Sequence, residues 1–267
     1  LIVVCNIFIQ LQLNFFCISV MAFRLKSYIQ FALIISVILS SLHYYLKVKE
    51  YRFSPRFIRS MGEKYAGRSP SVYVKSIMTD LSASTAGPII PAESLGVLDM
   101  LKGRTAVNRQ KKLSDEKSTV WLSVNFGGIQ GRIHFFHLSW SEYLALVGVP
   151  MKSIGSSSLH WMNQSCTVLS GSLQRHRTEE SFVHEHFEPG KHVRFGVFEN
   201  YIVEISEDTW LLCYGRGLTM ASFLYCFLGW ISQADFFSPI LMLSIALYSL
   251  LVDIADYSLQ FYHRFFR

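Results

Sequence analysis

The sequence predicts an α+β, membrane-associated protein: an N-terminal apolar helix, then an all-β unit, then a pair of apolar C-terminal helices. Three observations carry this prediction. SYIQFALIISVILSSLHYYL, Ser27 to Leu46, is an uncharged run of roughly the 20 residues needed to cross a hydrocarbon core. From Ser118 to Tyr214, short runs of β-branched and aromatic residues alternate with turn signals at Gly127, Ser153 and Glu188, the spacing of a sandwich or a barrel. After Gly217 the chain becomes apolar again, with Asp235 as the interruption.

Composition supports the membrane assignment. Of 267 residues, 51% are hydrophobic and only 16% charged, whereas a soluble domain carries about 25% charged residues. The formal net charge is +6, but the 25 Lys and Arg are dispersed. A nucleic-acid binder gathers such charge on one stripe or arm, so no nucleic-acid partner is expected. The basic residues instead border the apolar run, with Arg24 and Lys26 before it and Lys47, Lys49, Arg52, Arg56 and Arg59 after it, as membrane helices are bordered. The five cysteines form no C-x-x-C pair and no zinc spacing.

Residues 1–26 read as a leader or fragment edge: Leu1 to Phe23 is uncharged but diluted by Asn6, Gln10, Gln12 and Asn14, and Met21 is an alternative start. Residues 27–46 read as a transmembrane helix. A cleaved signal peptide is the competing reading, but no A-x-A-like site follows and the segment runs directly into KVKEYRF. Residues 47–117 read as a helical segment and a basic loop. Phe53, Phe57, Ile58 and Met61 form one stripe, KYAG and RSPS break it, and Ala92 to Lys117 is polar and exposed in character. Residues 118–217 form the β unit. Residues 218–267 form two membrane-facing helices. Gly229, Pro239 and the acids Asp235, Asp253 and Asp256 argue against clean spans. Helices lying in the interface, with Trp230, Tyr248, Tyr257 and Tyr262 at headgroup level, fit better.

Four groups of residues invite chemical readings. In VHEHFEPG, His184, His186 and Glu188 alternate and would share one strand face, with His192 as a further donor. A polar strand ending at Pro189 explains the same residues, and no second ligand cluster accompanies them, so no metal is expected. Asn163-Gln164-Ser165 fits a glycosylation acceptor, though its apolar flanks suit a packed wall. Glu142, inside FFHLSWSEYLALVG, must be paired or shifted in pKa. It reads equally as a salt bridge at a rim or as a polar group at an apolar pocket. In DTWLLCYGRG, Cys213 alternates with Leu212 and Tyr214 on what reads as a buried strand.

Three ordered motifs resemble the family of the sigma-1 receptor and the fungal sterol 8,7-isomerase: WLSVNFGGIQG, HLSWSEYLALVG and TWLLCYGRG. KYAG at Lys64, PGK at Pro189 and QADFF at Gln233 are weaker matches. The resemblance runs from Tyr51 to the end of the chain, with an insertion of roughly 25 residues after Pro91. It implies a cupin-like β-barrel without metal or cofactor, behind one membrane helix and ahead of two helices flat on the endoplasmic-reticulum membrane. It also implies homotrimers and a barrel pocket for hydrophobic amines and sterol-like molecules.

The resemblance further implies a ligand site at Cys213, Cys166, Tyr143, Glu142, Ser139, Leu146, Ile129 and Trp161. Family members place a Glu where Cys213 stands and an Asp where Cys166 stands; a pocket aromatic has become Ile129. A neutral thiol is a poor proton donor and a poor counter-ion for a carbocation, so no catalytic residue is assigned. Both thiols are expected to be free, because a disulfide needs Cβ atoms about 3.8 Å apart, closer than a hydrogen-bonded acid pair. The function implied is a non-enzymatic, receptor-like protein of the endoplasmic-reticulum membrane that binds sterol-like or other hydrophobic molecules and membrane partners. The alternatives are a sterol isomerase acting through Glu142, Glu204 or His137, and a structural subunit of a larger membrane assembly. The charge rule would place the β unit in the cytosol, and the resemblance places it in the lumen.

Overall fold

The computed structural model describes residues 28–84, 121–177 and 184–265. The leader and the basic loop from Ala92 to Lys117 lie outside these residues. The chain divides into two units, residues 1–50 and 51–267.

In the first unit, α1 spans Tyr28–Val48 and is long and apolar enough to cross a membrane. Most of its apolar side chains, Phe31, Ile34 and Ile38 among them, are exposed, while Leu46 near its end is buried.

The second unit begins with two short helices, α2 (Pro55–Tyr65) and α3 (Pro70–Ser84). Each opens on a proline, whose missing N–H costs nothing in a first turn. Gly67, at φ +75°, makes the turn between them. Among the described residues ten strands follow: β1 (Leu122–Phe126), β2 (Ile129–Leu138), β3 (Glu142–Val149), β4 (Ser153–Ser156), β5 (Met162–Ser170), β6 (Leu173–Arg177), β7 (His184–Phe187), β8 (His192–Phe195), β9 (Tyr201–Ile205) and β10 (Thr209–Gly217). Two helices close the chain, α4 (Thr219–Ser232) and α5 (Phe237–Phe265).

The strands form a six-stranded antiparallel sheet, ordered β1-β2-β3-β10-β5-β8, and a four-stranded one, ordered β4-β9-β6-β7. The expected closed barrel is therefore corrected to two facing sheets, because among the described residues no ladder joins one to the other. Edge strand β1 is instead covered by α4. Trp230 Nε1 donates to the Ser123 carbonyl at 2.6 Å, and Gly229 permits the approach, since a Cβ there would lie 2.3 Å from the Asn125 carbonyl oxygen.

Strands β3 and β10 are buried on both faces along almost their whole length, which is why EYLALVGV and TWLLCYGRG read as nearly continuous apolar runs. The period of two sends alternate residues to two different cores. On one face Leu144, Leu146, Leu212 and Tyr214 pack with Ile58, Met61, Tyr73 and Ile77 of α2 and α3. On the other face Tyr143, Ala145, Val147, Leu211 and Cys213 point toward the smaller sheet and toward Cys226, Trp230 and Met242 of α4 and α5. The second face bounds the cavity.

Candidate functional site

Between the sheets, and walled on one side by α4 and α5, lies a cavity of about 130 Å³. Its lining is mostly apolar: Val124, Ile133, Phe135, Met162, Val203 and Leu211 are representative. Among the described residues, no Asp, Glu, Lys or Arg lines it. The polar residues are few and include Tyr143, His160, Gln164, Thr219 and Ser222.

Cys166 and Cys213 face one another across β5 and β10 as direct register partners. They are joined as a disulfide, with Cα atoms 4.1 Å apart. This corrects the expectation of free thiols. Two residues directly opposite in an antiparallel pair bring their Cβ atoms close, so the register itself supplies the proximity that an acid pair would not need. The disulfide lies in the cavity wall, and neither sulfur titrates.

Tyr143, from β3, also lines the cavity. Its ring crosses the register partner Gly215, where a Cβ would fall 2.1 Å from Tyr143 Cε1. The glycine of CYGRG therefore makes room for the ring. Burial pushes the Tyr143 phenol well above its usual range, opposed by a hydrogen bond with Gln164. Burial raises the free thiol of Cys226 to about 12 and lowers the pKa of His160, whose ring is hydrogen-bonded to the Ser157 backbone. At neutral pH all three groups are uncharged.

Of the residues expected in the site, Cys213, Cys166, Tyr143 and Ile129 line the cavity, and Glu142, Ser139, Leu146 and Trp161 do not. The alternation of β3 explains two of these. Glu142 and Leu146 are an odd number of positions from Tyr143 and so belong to the helix-covered face. There the Glu142 carboxylate accepts the N–H groups of Arg52 and Phe53, each at 3.0 Å. The Tyr214 hydroxyl lies 2.7 Å from both Glu142 Oε1 and the Phe53 carbonyl, and donates to one at a time. Burial, and next the Glu142 charge, push the Tyr214 phenol far upward. Ser139 is buried, its Oγ accepting the Ser141 N–H at 3.4 Å. Trp161 packs its ring 5.9 Å from that of Phe198.

The other residues considered for chemistry are dispersed. His137 packs against Phe53, ring centroids 5.4 Å apart, on the helix-covered face. Glu204 pairs with Lys152 at 2.6 Å on the outer surface of β9. His184 lies against His176 across β6 and β7, ring centroids 5.4 Å apart and tilted by 43°, whereas His192 lies on β8 of the other sheet. Asn163 sits within β5, its Oδ1 3.5 Å from an Arg194 guanidinium nitrogen.

Most of the cavity lining escaped the sequence reading, including the polar residues His160, Gln164, Thr219 and Ser222. His160 is in a loop and carries no pattern. Thr219 and Ser222 were legible, since two hydroxyl residues three apart at the start of an apolar helix share one face.

The chain matches the family described as "ERG2 and Sigma1 receptor like protein" over residues 29–256. It is 29% identical over 183 residues to the sigma non-opioid intracellular receptor 1 of Xenopus tropicalis, covering 68% of this chain and 72% of that protein. It is 32% identical over 100 residues to the protein erg2 homolog of Dictyostelium discoideum, covering 37% of this chain and 42% of that one. Among solved structures, KdgF from Halomonas sp. overlaps 39% of this chain and 92% of its own length, at 11% identity and a TM-score of 0.32, and that overlap carries no functional conclusion. With most of its length matched, the chain belongs to the ERG2 and Sigma1 receptor like family.

Proposed function

We propose that this protein is a non-enzymatic, receptor-like binding protein of the endoplasmic-reticulum membrane whose cavity takes neutral, sterol-like or other hydrophobic molecules. The observation that carries the proposal is a cavity wall that, among the described residues, holds no Asp, Glu, Lys or Arg, closed by a disulfide at the two positions where the resemblance expects carboxylates. A cationic amine entering such a cavity loses its hydration and finds no counter-ion. A neutral apolar body loses nothing comparable and gains from burial.

The same inventory disfavours isomerase chemistry. Moving a sterol double bond needs a proton donor and an acceptor beside a carbocation-like centre. The Tyr143 phenol and the Cys226 thiol are both pushed upward, and His160 is held neutral. Glu142, His137 and Glu204 do not line the cavity.

Membrane attachment rests on two features. One is α1; the other is the outer face of α5, where Ile240, Leu243, Leu247, Leu251 and Ile254 are all exposed. A bilayer interface is the natural cover for such a face. A disulfide persists in oxidising compartments, which favours the lumenal over the cytosolic side for the β unit. Self-association as a trimer, or assembly with membrane partners, belongs to the same reading.

The test is binding of a cationic hydrophobic amine to the full chain and to the Cys166→Asp/Cys213→Glu double variant. The wild type should bind weakly. The double variant should gain about one to two decades in affinity, the worth of a charge-assisted hydrogen bond of about 1.5–3 kcal/mol. Tight amine binding by the wild type, unchanged in the double variant, would show that the cavity does not work in this way.

A further inference from the structure

Among the described residues, two side chains in the cavity wall have polar atoms without a partner. Thr219 is completely buried, and neither its Oγ1 nor the buried Oγ of Ser222 has a hydrogen-bond partner among the described residues. Both line the cavity from the first turn of α4. Three residues apart, they stand on the same side of the helix, one turn above the other.

The remaining polar side chains of the cavity are engaged. Ser156 Oγ donates to Asn200 Oδ1 at 2.6 Å, and Ser157 Oγ accepts the Tyr201 N–H at 2.9 Å. Gln164 is hydrogen-bonded to Tyr143, and the His160 ring to the Ser157 backbone. Buried hydroxyls are normally paired, and those that are not call for an explanation.

We infer that Thr219 and Ser222 form a subsite for one neutral oxygen, a hydroxyl or a carbonyl, carried at one end of an otherwise hydrophobic ligand. This rests on the reading of the cavity as a neutral-lipid site and adds the functional group that orients the ligand. Each hydroxyl can donate and accept. A ligand alcohol accepts from one and donates to the other, and a ligand carbonyl accepts from both. A pure hydrocarbon filling the cavity would strip both hydroxyls of solvent and return nothing. A carboxylate or ammonium would bring a charge into a wall that holds none to oppose it. The positive end of the α4 dipole lies at this turn and favours an electron-rich oxygen over a second donor.

The experiment uses the full chain in detergent, with cholesterol and cholest-5-ene as probes; the two share a ring system and tail and differ by the hydroxyl. The comparison variant is Thr219→Val with Ser222→Ala, which removes both hydroxyls with little change of shape. The wild type should bind cholesterol at least about tenfold more tightly than the hydrocarbon. In the variant that preference should fall to about one, with hydrocarbon affinity unchanged or improved and melting temperature unchanged or raised. Equal binding of both probes by the wild type overturns the inference and leaves the neutral-lipid reading standing. A preference that persists in the variant overturns it as well. So does a clear fall in melting temperature, which would mean that the hydroxyls already hold protein partners. Binding of neither probe overturns the neutral-lipid reading and this inference together.

Discussion

Glu142 is only 4% exposed, yet three donors surround its carboxylate: the N–H groups of Arg52 and Phe53 and the Tyr214 hydroxyl. A buried carboxylate is tolerable only with such satisfaction, so its place is structural: it pins the stretch ahead of α2 onto β3 and β10. Glu142→Ala should destabilise the fold by about 3–5 kcal/mol, because it leaves buried donors without an acceptor. Glu142→Gln keeps one carbonyl oxygen and should cost less. Denaturant unfolding of both variants measures this, and an alanine variant as stable as the wild type would refute the clamp. Ligand affinity in the Gln variant should stay close to that of the wild type, since Glu142 lies across the sheet from the cavity.

Helix α5 shows how one segment can satisfy two environments. Met242, Ile245, Ala246 and Ser249 are buried at spacings of three, one and three, a single helical face, and Met242 reaches the cavity. The opposite face keeps Ile240, Leu243, Leu247 and Leu251 exposed. Asp235 sets the start of the helix: its Oδ1 accepts the N–H groups of Phe237 and Ser238, each at 3.0 Å. That acid, which by sequence argued against a membrane span, is a capping residue. Its pKa is lowered mainly by the hydrogen bond from the Ser238 side chain. A chain lacking residues 1–46 should still sediment with membranes after a high-salt wash. Burial contributes about 0.8 kcal/mol per CH₂ and is not screened by salt. If this truncated chain is fully soluble without detergent, α4 and α5 are not membrane-facing.

Acid sensitivity emerges from groups spread over the whole β unit. Burial lowers the pKa of His160 and, together with the nearby Arg59 and Arg194 charges, that of His192. Both histidines are therefore more readily protonated in the unfolded chain. Their contribution to stability is complete above about 6.5 and is lost as pH falls from there through the lower folded-state values. Glu199 adds a second step. Its pKa is lowered chiefly by the Gly196 N–H, so its contribution is present above about 4.3 and is lost as pH falls through the folded value. Melting temperature should be flat from about pH 8 to 7, decline below about 6.5, and decline further below about 4.3. His160→Gln with His192→Asn should flatten the first step. A melting temperature that rises between about pH 7 and 5.5 would contradict this account.

Much was decided by the linear pattern alone. The apolar run over α1, the turn signals between the strands and the apolar C-terminal pair each depend on local periodicity, which a sequence displays directly. The cysteine pair was legible as a pair, because the motifs aligned Cys166 and Cys213 with two interacting positions. What the pattern could not determine was which residues face which core. On a strand buried on both sides, Glu142 and Tyr143 look equally enclosed, and only the packing of α2 and α3 against one face of the large sheet separates a clamp from a cavity residue. The bond between the cysteines was likewise a tertiary outcome, since the register of β5 against β10 brought two residues 47 positions apart to a Cα separation of 4.1 Å. Closure failed for a related reason: α4 covers the β1 edge, and a contact more than 100 residues distant in the chain leaves no periodicity to read.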